Sequence, residues 1–436
     1  MPYHIFSPAP LRWPLIEQGR HRLRLTFRAM RHRDFTLFWL GQWVSVIGTW
    51  MQTMALSWLI YRLTDSALVL GVLAAVRFGP SLLGSPFAGV LADRFPRRNL
   101  VLLTQSASLL LASTLAALTL TGTVKVWHIL MLAFVQGVVD TLDMTARQTM
   151  QMDLVGPDDL QSAVALNSAA FNTGRMVGPA VAGVLVAVYG EGICFAINAA
   201  SYLAVLVALL SIRGIAATPR SGASVGRDLR EGMRFTWGHP TIRTVLLAVA
   251  VTSMAGLSYS TLLPVLARDI LKAGAPGYGL LLSCVGVGAI AGALGAAARR
   301  GNQGVGGLIG LGQAALGTGL IALGLSRLLW VSCAWMVLVG VAVTMQLAVT
   351  NALLQTTAPP AMRGRVISLY IWFFTGLSPI GGLAAGWVAE HLGAPLTAMG
   401  GGAICLASAL WTRRAWRRSA AAHLHDSAAA EPPAAS

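Results

Sequence analysis

The sequence predicts an all-α, polytopic membrane protein: twelve transmembrane helices in two pseudo-symmetric six-helix bundles. Three observations carry this expectation. Hydrophobic residues make up 55% of the 436 and charged residues only 11%, against about a quarter charged in an ordinary soluble domain. The composition excludes a soluble globular enzyme. It equally excludes a disordered chain, which needs low hydrophobicity and high net charge. Second, the apolar residues gather in runs of about 20 or more, the length that a bilayer asks of a helix. Third, charges punctuate the junctions between runs, and the basic ones collect in alternate junctions.

The runs cover 35–61, 67–92, 98–122, 126–150, 160–189 and 190–212, then 241–266, 276–298, 303–325, 328–354, 364–390 and 394–413. They divide the chain into a basic N-terminal segment (1–34), an N-terminal bundle (35–212), a polar linker (213–240), a C-terminal bundle (241–413) and a tail (414–436). The tail, rich in Ala and Pro, is expected to be disordered. Of the 32 Lys and Arg, 24 fall on the same side as the N-terminus, five on the opposite side and three within spans. The positive-inside rule then places both termini in the cytoplasm. In the linker, residues 227–237 are expected to form a short helix on the inner membrane surface.

The net charge of +16 has a topological explanation. No basic stripe lies on a soluble domain, so no nucleic-acid partner is expected; the partners are the bilayer and a small molecule. Residues 1–33 are polar and basic and show no cleavable signal pattern. Cys194, Cys284, Cys333 and Cys405 each stand alone in apolar runs, without metal-ligand or redox spacing. No phosphate loop, nucleophile elbow or zinc-binding helix pattern occurs. The expectation is therefore a non-enzyme without cofactor or metal, acting as a monomer.

A weak repeat spans about 200 residues. The segment 174–183 is similar to 375–386, and 89–99 is similar to 292–302, with Ala296 where the first copy has Asp93. Two similar halves suit a carrier whose site lies between them.

The sharpest motif runs from Gly89 to Arg98. Gly89 permits close helix approach. Asp93 can accept hydrogen bonds at a neighbouring helix N-terminus. Arg94, Arg97 and Arg98 can pair with acids on the fourth span, or serve only as a topology signal. The segment resembles the loop 2–3 signature of the major facilitator superfamily. That resemblance implies a gating latch built from Gly89, Asp93, Arg94, Arg97, Arg98, Asp143 and Arg147, which closes the cytoplasmic side when the carrier faces out.

In the fifth span, Gly174, Arg175, Gly178, Pro179 and Gly183 resemble the superfamily's antiporter signature, with Ala182 in place of the first glycine of its closing pair. Small residues permit close packing and Pro bends the helix, so a generic packing face is the alternative. The segments 38–52, 163–172, 263–269, 277–280 and 363–369 resemble the branch that includes macrolide-efflux and enterobactin-export proteins. The resemblance implies export of a small, partly hydrophobic molecule (a drug, siderophore or other metabolite) across the bacterial inner membrane. Alternating access in exchange for protons would drive it. An importer of a nutrient or lysophospholipid, and a non-transporting sensor or assembly factor, keep the same scaffold.

Ionisable groups inside a bilayer are costly and therefore candidate functional groups. The spacings of Asp140, Asp143 and Arg147 put all three on one helix face. Asp143 is read as pairing with Arg147, and with Arg94 or Arg97. Asp140 is either the proton-coupling carboxylate or a third member of that cluster. Arg77 lies sixteen residues before Asp93, roughly 24 Å along a helix; it either binds a substrate anion or snorkels outward. Arg175 either faces the cavity or pairs with Asp140. Gln42 and Trp43 are candidates for the cavity wall, with helix packing as the alternative. No His lies deep in a span, so proton coupling would have to use acids of the fourth span.

Overall fold

The computed structural model describes residues 27–212, 225–299 and 304–429, and the regular elements among them are all helical. A 3₁₀ turn, Arg28–Arg31, precedes α1 (Arg33–Thr64), α2 (Ala67–Arg94) and α3 (Arg97–Leu120). The run Val126–Tyr189 is broken at Gly156, whose φ is 71°. Glycine adopts that left-handed conformation without a Cβ clash, and Pro157 starts a new helix where its missing N–H costs nothing. The break separates α4 (126–155) from α5 (157–189). Then come α6 (Glu191–Ser211), α7 (Val225–Gly238), α8 (Pro240–Ile270), α9 (Gly274–Ala297), α10 (Val305–Leu325), α11 (Leu329–Thr357), α12 (Pro360–Leu392) and α13 (Ala394–Ala429).

Nine helices among the described residues are long and apolar enough to cross a membrane, with Val126–Tyr189 taken as one. The protein is a multi-pass membrane protein. Helix α7 covers the linker segment expected to be helical. Helix α13 continues through residues 414–429, which the sequence assigns to a disordered tail. Three π-helical turns interrupt the second half: Thr252–Gly256 and Leu266–Ile270 in α8, and Trp372–Gly376 in α12. Nothing in the hydropathy pattern announces them.

The packing inverts the pattern of a soluble protein. Leu103, Leu110, Val188, Leu210, Trp330 and Leu396 are exposed, as suits side chains solvated by lipid. The polar residues are inside. Asn198 donates to Gln52 over 2.7 Å, Gln313 to Ser408 over 2.8 Å, and Gln346 to Thr252 over 2.9 Å. With no water in the hydrocarbon, such groups satisfy one another across helices.

Glycines set the tightest crossings. A methyl group added at Gly340 would lie 2.2 Å from the Val285 carbonyl oxygen, and one at Gly381 would lie 2.1 Å from that of Met254. Among the described residues, two glycine-set crossings join the part of the chain before α7 to the part after it. Helix α5 meets α9, where Gly279 abuts the Pro179 carbonyl. Helix α2 meets α12, where Gly386 abuts the Ala67 carbonyl.

Candidate functional site

Helices α2 and α4 touch at Gly137, where a methyl group would lie 2.1 Å from the Arg77 carbonyl oxygen. That contact brings two charged side chains together. The Arg77 guanidinium donates to Asp140 Oδ2 over 3.2 Å. Gln136 donates to Asp140 Oδ1 over 2.7 Å and to Ser108 of α3 over 3.0 Å. Ser81 and Thr141 share a 2.8 Å hydrogen bond between the same two helices. The pair is asymmetric: the Arg77 side chain is 11% exposed and that of Asp140 is 44% exposed. The cation is walled in and the carboxylate is open. Arg77, Gln52 and Gln136, with Leu56, Leu115 and Leu132, line a narrow cleft. Arg77 Nε and Gln136 Oε1 are buried without a partner among the described residues.

Of the two alternatives for Arg77, snorkelling to the surface is not what the side chain does: its head turns inward to Asp140. Asp140 bonds Arg77 and Gln136 rather than Arg175, because α5 turns Arg175 towards α9. There the Arg175 guanidinium reaches the Val285 carbonyl at 3.5 Å.

One turn along α4, Asp143 is buried and saturated. It accepts hydrogen bonds from Thr104 over 2.7 Å and from Gln105 over 2.9 Å, and it pairs with Arg147. Arg97 pairs with Asp153 near the end of α4 at 2.5 Å, not with Asp143. Arg98 donates to the Leu209 carbonyl of α6 over 2.9 Å. The described latch residues Arg97, Arg98, Asp143 and Arg147 thus bond to α3, α4 and α6. The side chains of Asp93 and Arg94 and the surroundings of Gly89 lie outside what is described.

The glycines of α5 sort by partner. Gly174 meets Val46 and Trp50 of α1, Gly178 meets Trp50 and Ile47, and Gly183 meets Ala275 of α9. A helix with small residues on two faces is wedged between α1 and α9. Trp50 instead pairs edge-on with Phe171, with ring centres 5.5 Å apart. Trp43 is partly exposed and stacks on Trp39 at 6.2 Å. Gln42 is buried, and its Oε1 has no partner among the described residues.

A second cluster was not predicted. At the junction of α1 and α2 with α8 and α12, the two halves of the chain are joined by polar contacts. Arg268 pairs with Asp65 and with Asp269, the latter at 2.9 Å, and lies over the Tyr61 ring at 4.3 Å. The Tyr61 hydroxyl donates to Asp269. Glu390 accepts from Ser66 Oγ over 3.0 Å and from the Leu68 amide over 3.1 Å. Opposite charges beside the first and seventh runs were the only signal in the sequence. At the other end, the ion pairs Arg97–Asp153 and Arg28–Asp159 join elements before α7, and Arg365–Glu231 ties α12 to α7 itself. No metal-ligating cluster occurs among the described residues. The arrangement sets an exposed carboxylate against an enclosed cation and joins the two halves by polar contacts that can break.

Comparison with known proteins identifies the family and the fold. Residues 25–435 match the family described as transmembrane secretion effector. The staphyloferrin A transporter of Staphylococcus aureus is 27% identical over 58% of this chain, and the match spans 64% of that protein, just under two thirds. The multidrug efflux pump Tap of Mycolicibacterium fortuitum is 28% identical over 79% of this chain and 87% of Tap. The enterobactin exporter EntS of Shigella boydii is 26% identical over 78% of this chain and 81% of its own. Among solved structures, the nucleoside transporter NupG superposes with a TM-score of 0.69 at 12% identity, covering 88% of this chain and 99% of NupG. That last likeness concerns the fold alone.

Proposed function

The chain belongs to the transmembrane secretion effector family of the major facilitator superfamily, and from this premise we propose that it exports a small, partly hydrophobic molecule across the bacterial inner membrane in exchange for protons. It is a transporter and not an enzyme. The Arg77–Asp140 pair carries the proposal. A proton arriving at the open carboxylate neutralises Asp140 and leaves the walled-in Arg77 without its counter-charge. That change biases the helices towards another packing, which is what coupling requires.

On this reading the helices make twelve spans in two six-helix bundles. The nine long apolar helices become ten when α4 and α5 count separately, and α1 and α2 complete the set. The basic residues support cytoplasmic termini. The cluster of Tyr61, Asp65, Arg268 and Asp269 is then an outer gate, whose contacts between the halves must part for release. The residues from Gly89 to Arg98, with Asp143 and Arg147, form the inner latch of the opposite state. The relatives named for drug efflux and enterobactin export support the direction.

The test is accumulation. A bacterial strain lacking its major efflux systems is challenged with a panel of drugs and siderophores, with and without this protein. Lower intracellular accumulation that collapses with the proton gradient, and is lost in Asp140→Asn at equal membrane abundance, supports proton-coupled export. Wild-type clearance by Asp140→Asn would remove that residue from coupling.

A further inference from the structure

Three arginines lie within the spans, and two have a carboxylate: Arg77 faces Asp140 and Arg147 faces Asp143. Arg175 has none among the described residues. Its one described hydrogen bond goes to the Val285 carbonyl at 3.5 Å, beyond the range of a strong charge-assisted contact. A cation held at that depth calls for a counter-anion.

The surroundings of Arg175 are built for one. Tyr259 of α8 is buried within electrostatic reach of Arg175 across the interface. On α9, Gly279 and Gly286 bring the backbone against Pro179 and Met176 of α5. Ser283 lies between them on the same helix face, only 7% exposed, and its hydroxyl has no partner among the described residues. Tyr and Ser hydroxyls and a guanidinium all donate to an anion. One turn back on α5, Phe171 is exposed and rests edge-on against Trp50, so an aromatic surface adjoins the cation.

We infer that Arg175, Tyr259 and Ser283 form an anion subsite between α5, α8 and α9, and that the transported molecule is an amphiphile with a carboxylate or phenolate beside an aromatic ring. The subsite rests on the export reading for its role but not for its chemistry. When the anion seats there, it bridges the two halves of the chain, since α5 lies before α7 and α8 and α9 lie after it. Binding at this point therefore reports to the rocking interface directly.

Equilibrium dialysis tests the subsite with the full chain in nanodiscs of phosphatidylcholine, a lipid without net charge. The probes are 1-naphthoate and its neutral counterpart 1-naphthalenemethanol, with empty nanodiscs subtracted. The expected result is at least a ten-fold preference for the anion. Arg175→Gln should abolish the preference, Arg175→Lys should retain part of it, and Ser283→Ala should reduce it a few-fold. Equal binding of the two probes, or a full preference in Arg175→Gln, overturns the inference. If Arg175→Gln does not fold, Arg175→Lys and Ser283→Ala decide: an unchanged preference in both overturns it. The assay uses no gradient and has no direction. A failure of export with the preference intact strikes the export reading alone, and the converse strikes the subsite alone.

Discussion

Gly137 holds its backbone against the carbonyl of Arg77 so closely that a methyl group would stand 2.1 Å from the oxygen. One absent side chain on α4 thereby decides where a charged side chain on α2 can reach. The Asp140 carboxylate lies three residues further along α4 and receives the Arg77 guanidinium at 3.2 Å. Gly137→Ala should therefore act twice. Overpacking against backbone costs about 1–3 kcal/mol, and parting the helices lengthens the Arg77–Asp140 contact. A lower melting temperature in detergent, together with loss of proton-driven clearance, is the expected pair of results. A stable, active alanine variant would show that α2 and α4 can separate without consequence.

Asp143 and Arg147 differ from that pair in that the carboxylate is the buried member. Asp143→Asn keeps the shape and leaves Arg147 charged with no carboxylate. Breaking a buried pair from one side costs roughly 3–5 kcal/mol. The double variant Asp143→Asn with Arg147→Met should recover most of that loss, because no charge is then left uncompensated. Thermal unfolding of the two single variants and the double variant measures the coupling; additive losses would mean that the residues do not act as a pair.

Arg268 is bonded to Asp65 and Asp269 and stacks over Tyr61. Each partly exposed pair contributes at most about 1 kcal/mol, so Arg268→Ala should weaken the junction without unfolding the protein. A loss of about 1–2 kcal/mol corresponds to roughly a 5–30-fold shift in population. Ser66→Cys, placed beside the junction, should react faster with an impermeant maleimide added outside cells when Arg268 is replaced. Unchanged labelling would mean that the cluster does not restrain opening.

At the α5–α9 crossing, a methyl group on Gly279 would lie 2.2 Å from the Pro179 carbonyl oxygen. Gly279→Ala should destabilise the conformation described here and favour one in which the two helices have parted. Distance measurements between spin labels on α5 and α9 should show a longer population. Identical distance distributions would assign this contact to both states.

Some of the site was legible because it is local. Asp143 and Arg147 are four residues apart on one helix, and helical geometry alone makes them neighbours. The linker helix was legible for the same reason. Arg77 and Asp140 are not local. The sequence gives the depth of Arg77 along its helix but not the direction of its face, so it offered a substrate anion or the outer surface and did not point to Asp140. The same ambiguity left Arg175 between Asp140 and the cavity, until the packing of α5 on α9 chose a side. The contacts of Arg268 with Asp65 and of Glu390 with Ser66 join residues hundreds of positions apart, and no periodicity connects them.

The sequence by itself determined the solvent of this protein, the segments that cross the hydrocarbon and the few charges that enter it, because transfer of each residue to lipid depends on that residue and its near neighbours. The tertiary structure alone decided which charges meet, which has no counter-charge among the described residues and where the two halves touch. Those outcomes depend on which helix faces approach, and glycines such as Gly137 and Gly279 set the approach by what they lack.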